Sequence, residues 1–110
     1  MNCKLYVHSN SIRTVISILE RVHGVPKKER NDYYFDDFVL YINRNKEADA
    51  NKLCSYPDGF LYYELIVDLE INTKAIPITA SILQSLWHNN IPTVVSCDYE
   101  RELNDYIFNQ

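Results

Sequence analysis

The stretch DGFLYYELIVDLEI, residues 58–71, restricts the fold more than any other part of the chain. From Phe60 onward its odd positions are Leu61, Tyr63, Leu65, Val67, Leu69 and Ile71. Its even positions are Phe60, Tyr62, Glu64, Ile66, Asp68 and Glu70. A period of two belongs to a strand, because successive side chains point to opposite faces of a sheet. One face is apolar enough to lie on a core, while the other is aromatic at one end and acidic at the other. Three roles fit those carboxylates: a catalytic set, a docking surface for a basic partner, or an ordinary solvated face.

The flanking sequence supplies the rest of a sheet. Residues 3–8, CKLYVH, alternate Cys3, Leu5 and Val7 against Lys4, Tyr6 and His8, and read as a first strand. Ile12, Val15, Ile16, Leu19 and Val22 then recur at helical spacing, with Ser9, Asn10 or Ser11 available as N-cap and Gly24 as a left-handed C-cap. VPKKERND reads as a polar connector broken by Pro26. Residues 33–44, YYFDDFVLYINR, make a second strand whose alternation is imperfect. A connector over 45–59 ends in the turn residues Pro57-Asp58-Gly59 and leads into the third strand. Pro77 suits the first turn of a second helix with a stripe of Ile78, Ile82, Leu83 and Leu86, ended by Asn89 or Asn90. IPTVVSCD is a fourth strand, and the tail from Tyr99 reads as a helical turn capped by Asp98.

The order β-α-β-β-α-β predicts an α+β fold of ferredoxin-like, split βαβ type: an antiparallel sheet with two helices on one face and a short C-terminal helical tail. With 110 residues the chain forms one domain, residues 1–110. The even face of the third strand then lies on the uncovered side, shared with Tyr6 and His8.

Composition narrows the function. A net charge of -4 from 11 basic and 15 acidic residues argues against nucleic acid as partner, since such binders carry a basic face. RNA-recognition domains of the same topology carry basic and aromatic signatures on the sheet, where this chain places acids. Cys3, Cys54 and Cys97 are an odd, widely spaced set and read as reduced thiols of a cytoplasmic protein. No secretory signal opens the chain, and no apolar run approaches the roughly 18 residues that span a bilayer. Only two glycines are present, so no Gly-rich phosphate loop or dinucleotide fingerprint exists and no cofactor is expected.

Chemistry and docking compete for the remaining polar residues. Asp68 and Glu70 share a strand face, and a metal there would need further ligands such as His8 or Asp36 from neighbouring strands. His23 and His88 fall at predicted helix C-termini, where a partly positive imidazole suits the macrodipole. Cys97 before a possible helix N-terminus is better explained as a small buried side chain than as a nucleophile. No catalytic or metal-binding residue is therefore assigned. Nine tyrosines are a stronger clue, and several fall close to carboxylates: Tyr33 and Tyr34 by Asp36 and Asp37, Tyr56 by Asp58, Tyr62 and Tyr63 by Glu64, Tyr99 by Glu100. Tyrosine gives rigid contact area, and surrounding carboxylates steer a basic partner.

DGFLYYELIVDLEI together with LQSLWHNNIPTVVSCDYERELN (83–104) resembles a family of small acidic bacterial proteins. These are the immunity proteins of contact-dependent growth inhibition and related polymorphic-toxin systems. In that family a D-G-F-L-Y strand precedes a helix ending in L-W and a strand ending in C-D-[FY]-E. The resemblance implies a non-enzymatic antitoxin that binds the C-terminal toxin domain of an incoming effector, one to one, and occludes its active site. Such toxins are often nucleases with basic surfaces, an RNase above all. The strand pattern then nominates Tyr56, Asp58, Tyr62, Glu64, Asp68, Glu70, Asp98, Tyr99 and Glu100 for the interface. The alternative is a small ferredoxin-like enzyme or a ligand- or metal-binding domain using His8 and the strand carboxylates.

Overall fold

The structure is a computed structural model that describes residues 2–55 and 57–109. Six strands form one antiparallel sheet: β1 (Asn2–Val7), β2 (Lys27–Glu29), β3 (Asp32–Tyr34), β4 (Phe38–Arg44), β5 (Leu65–Ile71) and β6 (Thr93–Cys97). Three helices accompany them, α1 (Ile12–His23), α2 (Ala75–His88) and α3 (Glu100–Phe108). The strands lie side by side in the order β2-β3-β4-β5-β1-β6. Two helices alternating with strands and two hairpins at one edge make this an α+β arrangement.

Strand alternation puts the core on one face. Leu5, Val7, Leu40, Ile42, Leu65, Val67, Leu69 and Ile71 are all buried there, against Val15, Leu19, Ile82, Leu83 and Leu86 from the helices. Antiparallel sheets covered on one side show this apolar-in, polar-out pattern. The Ser11 hydroxyl caps α1 by accepting from the Thr14 N–H at 3.1 Å, and Gly24 ends the helix at a φ of 85°. That positive φ costs glycine nothing. Pro77 sits in the first turn of α2, and Asn89 caps its end.

The structure departs from the sequence reading in five places. The polar connector after α1 is a hairpin, β2 paired with β3, turned at Arg30 with a φ of 61°. The second strand is folded at Phe35–Asp37: Phe35 stacks on Phe38 at 4.6 Å, and its N–H donates to the Phe38 carbonyl at 2.9 Å. A strand that doubles back cannot keep one alternation, which accounts for the irregular pattern of YYFDDFVLYINR. Val22 is exposed and Ile18 is buried in its place. His23 turns inward instead, its ring edge-on to Phe38 at 5.2 Å. That surrounding lowers the His23 pKa through burial, so this ring is held towards neutrality rather than charged at a helix terminus.

The fourth departure concerns the opening motif. Only Leu65–Ile71 is strand, and Gly59–Tyr62 forms a short 3-10 turn. The Asn45 amide donates to the carbonyls of both Leu61 and Tyr63 at 2.8 Å, and the Asp49 N–H donates to the Tyr62 carbonyl at 3.2 Å. These bonds hold residues 59–63 against the connector in place of a strand neighbour. Gly59 is required there, because a Cβ would run into the Leu53 carbonyl. At the C-terminus, Tyr99 rather than Asp98 occupies the cap position of α3, without a side-chain cap bond. The tail packs against α2 and β6 on the helical side, so it leaves the opposite sheet face open.

Candidate functional site: the open sheet face

Strand register defines the exposed face residue by residue. One row across the sheet runs Glu29, Asp32, Tyr41, Asp68, Lys4, Ser96. The adjacent row runs Lys27, Tyr34, Val39, Glu70, Asn2. Directly opposed residues lie about 4.5–5.5 Å apart at Cβ, so each row is a continuous strip of neighbouring side chains. The Tyr41 hydroxyl donates to Glu70 Oε2 at 3.0 Å and so bridges the two rows. That bond, more than anything else nearby, raises the Tyr41 pKa, because a phenolate would lose it and face the carboxylate. The result is a tyrosine–carboxylate centre of Asp32, Tyr34, Tyr41, Asp68 and Glu70.

The face is not uniformly acidic. Lys4 stands beside Asp68, and Lys27 beside Tyr34. Acids still outnumber bases across the two rows. Opposite charges placed directly across strands contribute modestly to the sheet, and they also confine the excess negative potential to its β3–β4–β5 portion.

The connector closes one end of this face. Phe60 stands edge-on to Tyr6 with ring centres 5.3 Å apart, against the third row, which runs Asn43, Ile66, Tyr6 and Val94. At the same end His8 Nδ1 contacts Glu64 Oε1 at 2.8 Å, and the His8 ring stacks on Tyr63 at 4.9 Å. Both partners of the pair remain about a third exposed, at 37% and 35%. An oriented imidazole backed by a carboxylate can exchange protons, but it needs a substrate-shaped cavity to do chemistry. A concavity of about 380 Å³ nearby opens to solvent between Tyr6, Arg44, Lys46 and Leu61. No cluster of three His, Cys, Asp or Glu side chains suited to a metal occurs among the described residues.

The nominated residues separate into groups. Asp68 and Glu70 meet at the centre of the open face. Glu64 belongs to the pair with His8 at its end. Asp58 and Tyr62 lie in the connector, Asp58 exposed and Tyr62 beneath the Lys52 ammonium at 5.1 Å. Asp98 is exposed just beyond β6. Glu100 lies on α3 beside Trp87, over the helical side of the β6 edge. Tyr99 is a correction: it is only 4% exposed, and its hydroxyl is 3.0 Å from that of Thr79 on α2. It is a core residue and offers no surface to a partner. Tyr56 lies outside the described residues.

Tyr34, Tyr41 and Asp32 are missing from the set that the sequence nominates. A period-two count starting at Phe38 finds Tyr41, because Phe38, Leu40 and Ile42 point inward. Asp32 and Tyr34 carry no such signal, since their strand is only three residues long.

Fold and site together define a small α+β protein with one helix-covered sheet face and one polar, tyrosine-bearing face left open. Comparison of the chain with protein-family models, with curated proteins and with solved structures returns no match in any of the three. Among the described residues, no helix is long and apolar enough to cross a membrane.

Proposed function

We propose that this chain is an immunity protein that docks its open sheet face on a basic toxin domain in the bacterial cytoplasm and blocks that domain's active site. The observation that carries this reading is the uncovered centre of Asp32, Tyr34, Tyr41, Asp68 and Glu70. The resemblance of residues 58–71 and 83–104 to immunity proteins supplies the class. A nuclease, and an RNase first, is the toxin whose substrate surface such a face complements. The complex is one to one, with no cofactor.

A ferredoxin-like ancestry accompanies the proposal. The four strands in the order β4-β5-β1-β6, with α1 and α2 on one face, fit a split βαβ pair. The β2–β3 hairpin is then an addition that widens the open face.

The test is affinity capture of the tagged chain from its native host with mass spectrometry, followed by reconstitution. The C-terminal fragment of a large secreted protein is expected to co-elute, to arrest growth when expressed alone, and to be neutralised by this chain. Asp68→Lys with Glu70→Lys should weaken that complex at least tenfold and flatten its salt dependence. Capture of such a fragment whose affinity ignores both salt and this charge reversal removes the face from the proposal. A fragment that this chain fails to neutralise removes the immunity role itself.

The His8–Glu64 contact favours a second reading, a ligand- or metal-binding domain. Divalent metal at micromolar concentration should then raise the thermal midpoint, and His8→Ala should abolish the rise.

A further inference from the structure

We propose that Cys3 and Cys97 are a redox pair, two thiols that a peroxide closes into a disulfide tying β1 to β6. The two cysteines are direct cross-strand partners. Their place in the hydrogen-bond ladder follows from two contacts. The His8 N–H donates to the Pro92 carbonyl at 2.9 Å, so that carbonyl faces β1. The Trp87 indole N–H donates to the Thr93 carbonyl at 3.0 Å, so that one faces away.

Antiparallel pairs alternate, so Tyr6–Val94 and Lys4–Ser96 exchange backbone bonds, whereas Val7–Thr93, Leu5–Val95 and Cys3–Cys97 do not. In a non-hydrogen-bonded pair the Cα atoms approach to about 4.5 Å and the side chains come closest. That separation lies within the range of roughly 4.4–6.8 Å spanned by disulfides.

The surroundings fit a guarded pair. Cys3 is buried, Cys97 is half-buried, and both are free thiols on the helix-covered face. Tyr99 packs beside them with its hydroxyl held by Thr79. Cys54, the third cysteine, is exposed in the connector on the other side of the sheet. It therefore has no route to either thiol within one chain.

The chemistry starts at Cys97, the more accessible of the two. Its thiolate attacks one peroxide oxygen, the O–O bond breaks, and the departing hydroxide takes a proton to leave as water. The resulting sulfenic acid is attacked by Cys3 Sγ. The S–S bond forms, the S–O bond breaks, and the proton from Cys3 leaves with the hydroxide as a second water. Two thiols are oxidised by two electrons and one peroxide is reduced to two waters.

Burial raises both thiols above their ordinary range, Cys3 the further. Thiolate is scarce, so closure is slow. The same property makes each sulfur a poor leaving group, so the closed bond resists thiol reductants. Closure would also enclose nearly the whole chain between residues 3 and 97 in one loop. That strongly restricts the unfolded ensemble.

The experiment incubates the full chain with hydrogen peroxide and reads it by non-reducing intact mass, peptide mapping and thermal unfolding. The expected product is a monomer lacking two hydrogens, with a peptide joining Cys3 to Cys97. Its thermal midpoint should lie several degrees above that of the reduced chain, hold in dithiothreitol under native conditions, and return after reduction in denaturant. Cys54→Ser should behave as the parent, and Cys97→Ser should lose the cross-link. Sulfinic acid at Cys97 beside a free Cys3 overturns the proposal. So does an unmodified pair in a chain whose Cys54 is fully oxidised. The first is read in the parent and Cys54→Ser chains and the second in the parent, so neither depends on how well Cys97→Ser folds.

Discussion

At single residues, burial decides what a substitution costs. The Tyr99 hydroxyl and that of Thr79 satisfy each other in the core. Tyr99→Phe leaves the Thr79 oxygen without its partner and should cost about 1–3 kcal/mol, read as a lower urea midpoint with unchanged slope. Asp68, exposed on the open face, is the contrast: Asp68→Asn should stay within about 0.5 kcal/mol of the parent. Gly59→Ala places a methyl against the Leu53 carbonyl and should cost about 1–3 kcal/mol in the same titration, because backbone must shift to admit it. His23 supplies a pH signature. Burial lowers its pKa in the folded state below the ordinary histidine value, with Asp37 opposing. Between the lowered value and the ordinary one, roughly 6.5, the unfolded chain binds more protons, so stability falls as pH drops through that window. His23→Gln should flatten that part of the stability–pH curve; an unchanged slope would assign it to other groups.

Elements differ in how far their own sequence specifies them. The α1 cap is local, and Ser11→Ala should lower stability by ~1 kcal/mol in denaturant unfolding. The connector is not local at all. Asn45→Ala removes both amide bonds to residues 61 and 63. It should release Phe60 from Tyr6, seen as faster amide exchange across residues 45–63 while β1 and β5 stay protected. The β2–β3 hairpin lies between these cases. All three residues of β2 are exposed, and its turn holds Arg30 at a positive φ. This hairpin should be the first strand pair to exchange.

Across the whole molecule, the layout separates the packed core from the open polar face. Apolar positions of the strands and both long helices build the core on one side. The other side, free of that duty, carries Tyr34, Tyr41 and the acids of the strands. Charge reversal at Asp68 and Glu70 should therefore change partner binding with little effect on unfolding, and a matching loss in both would tie the face to folding instead. The chain's net charge of -4 adds long-range attraction for a basic partner, a contribution that salt screens within about a Debye length.

The sequence alone determined whatever depends on near neighbours. Periodicity disclosed β1, the strand from Leu65, both long helices and most of the inward set of each, because side-chain direction follows from backbone type. Helix ends were legible to within a residue or two for the same reason: Ser11 was one of three candidate caps, Asn89 one of two, and Gly24 stood alone. Tertiary structure decided the rest. Residues 59–62 carry a strand pattern but are bent into a turn by Asn45, which lies outside any local window. Phe35 and Phe38 satisfy strand propensity yet stack across a reversal. Tyr99 reads as a surface tyrosine beside an acid until α2 supplies Thr79. His8 meets Glu64, and Cys3 meets Cys97, only when strands far apart in sequence come into register. Such contacts are chosen by which chain segments pack together, and that is a property of the folded whole.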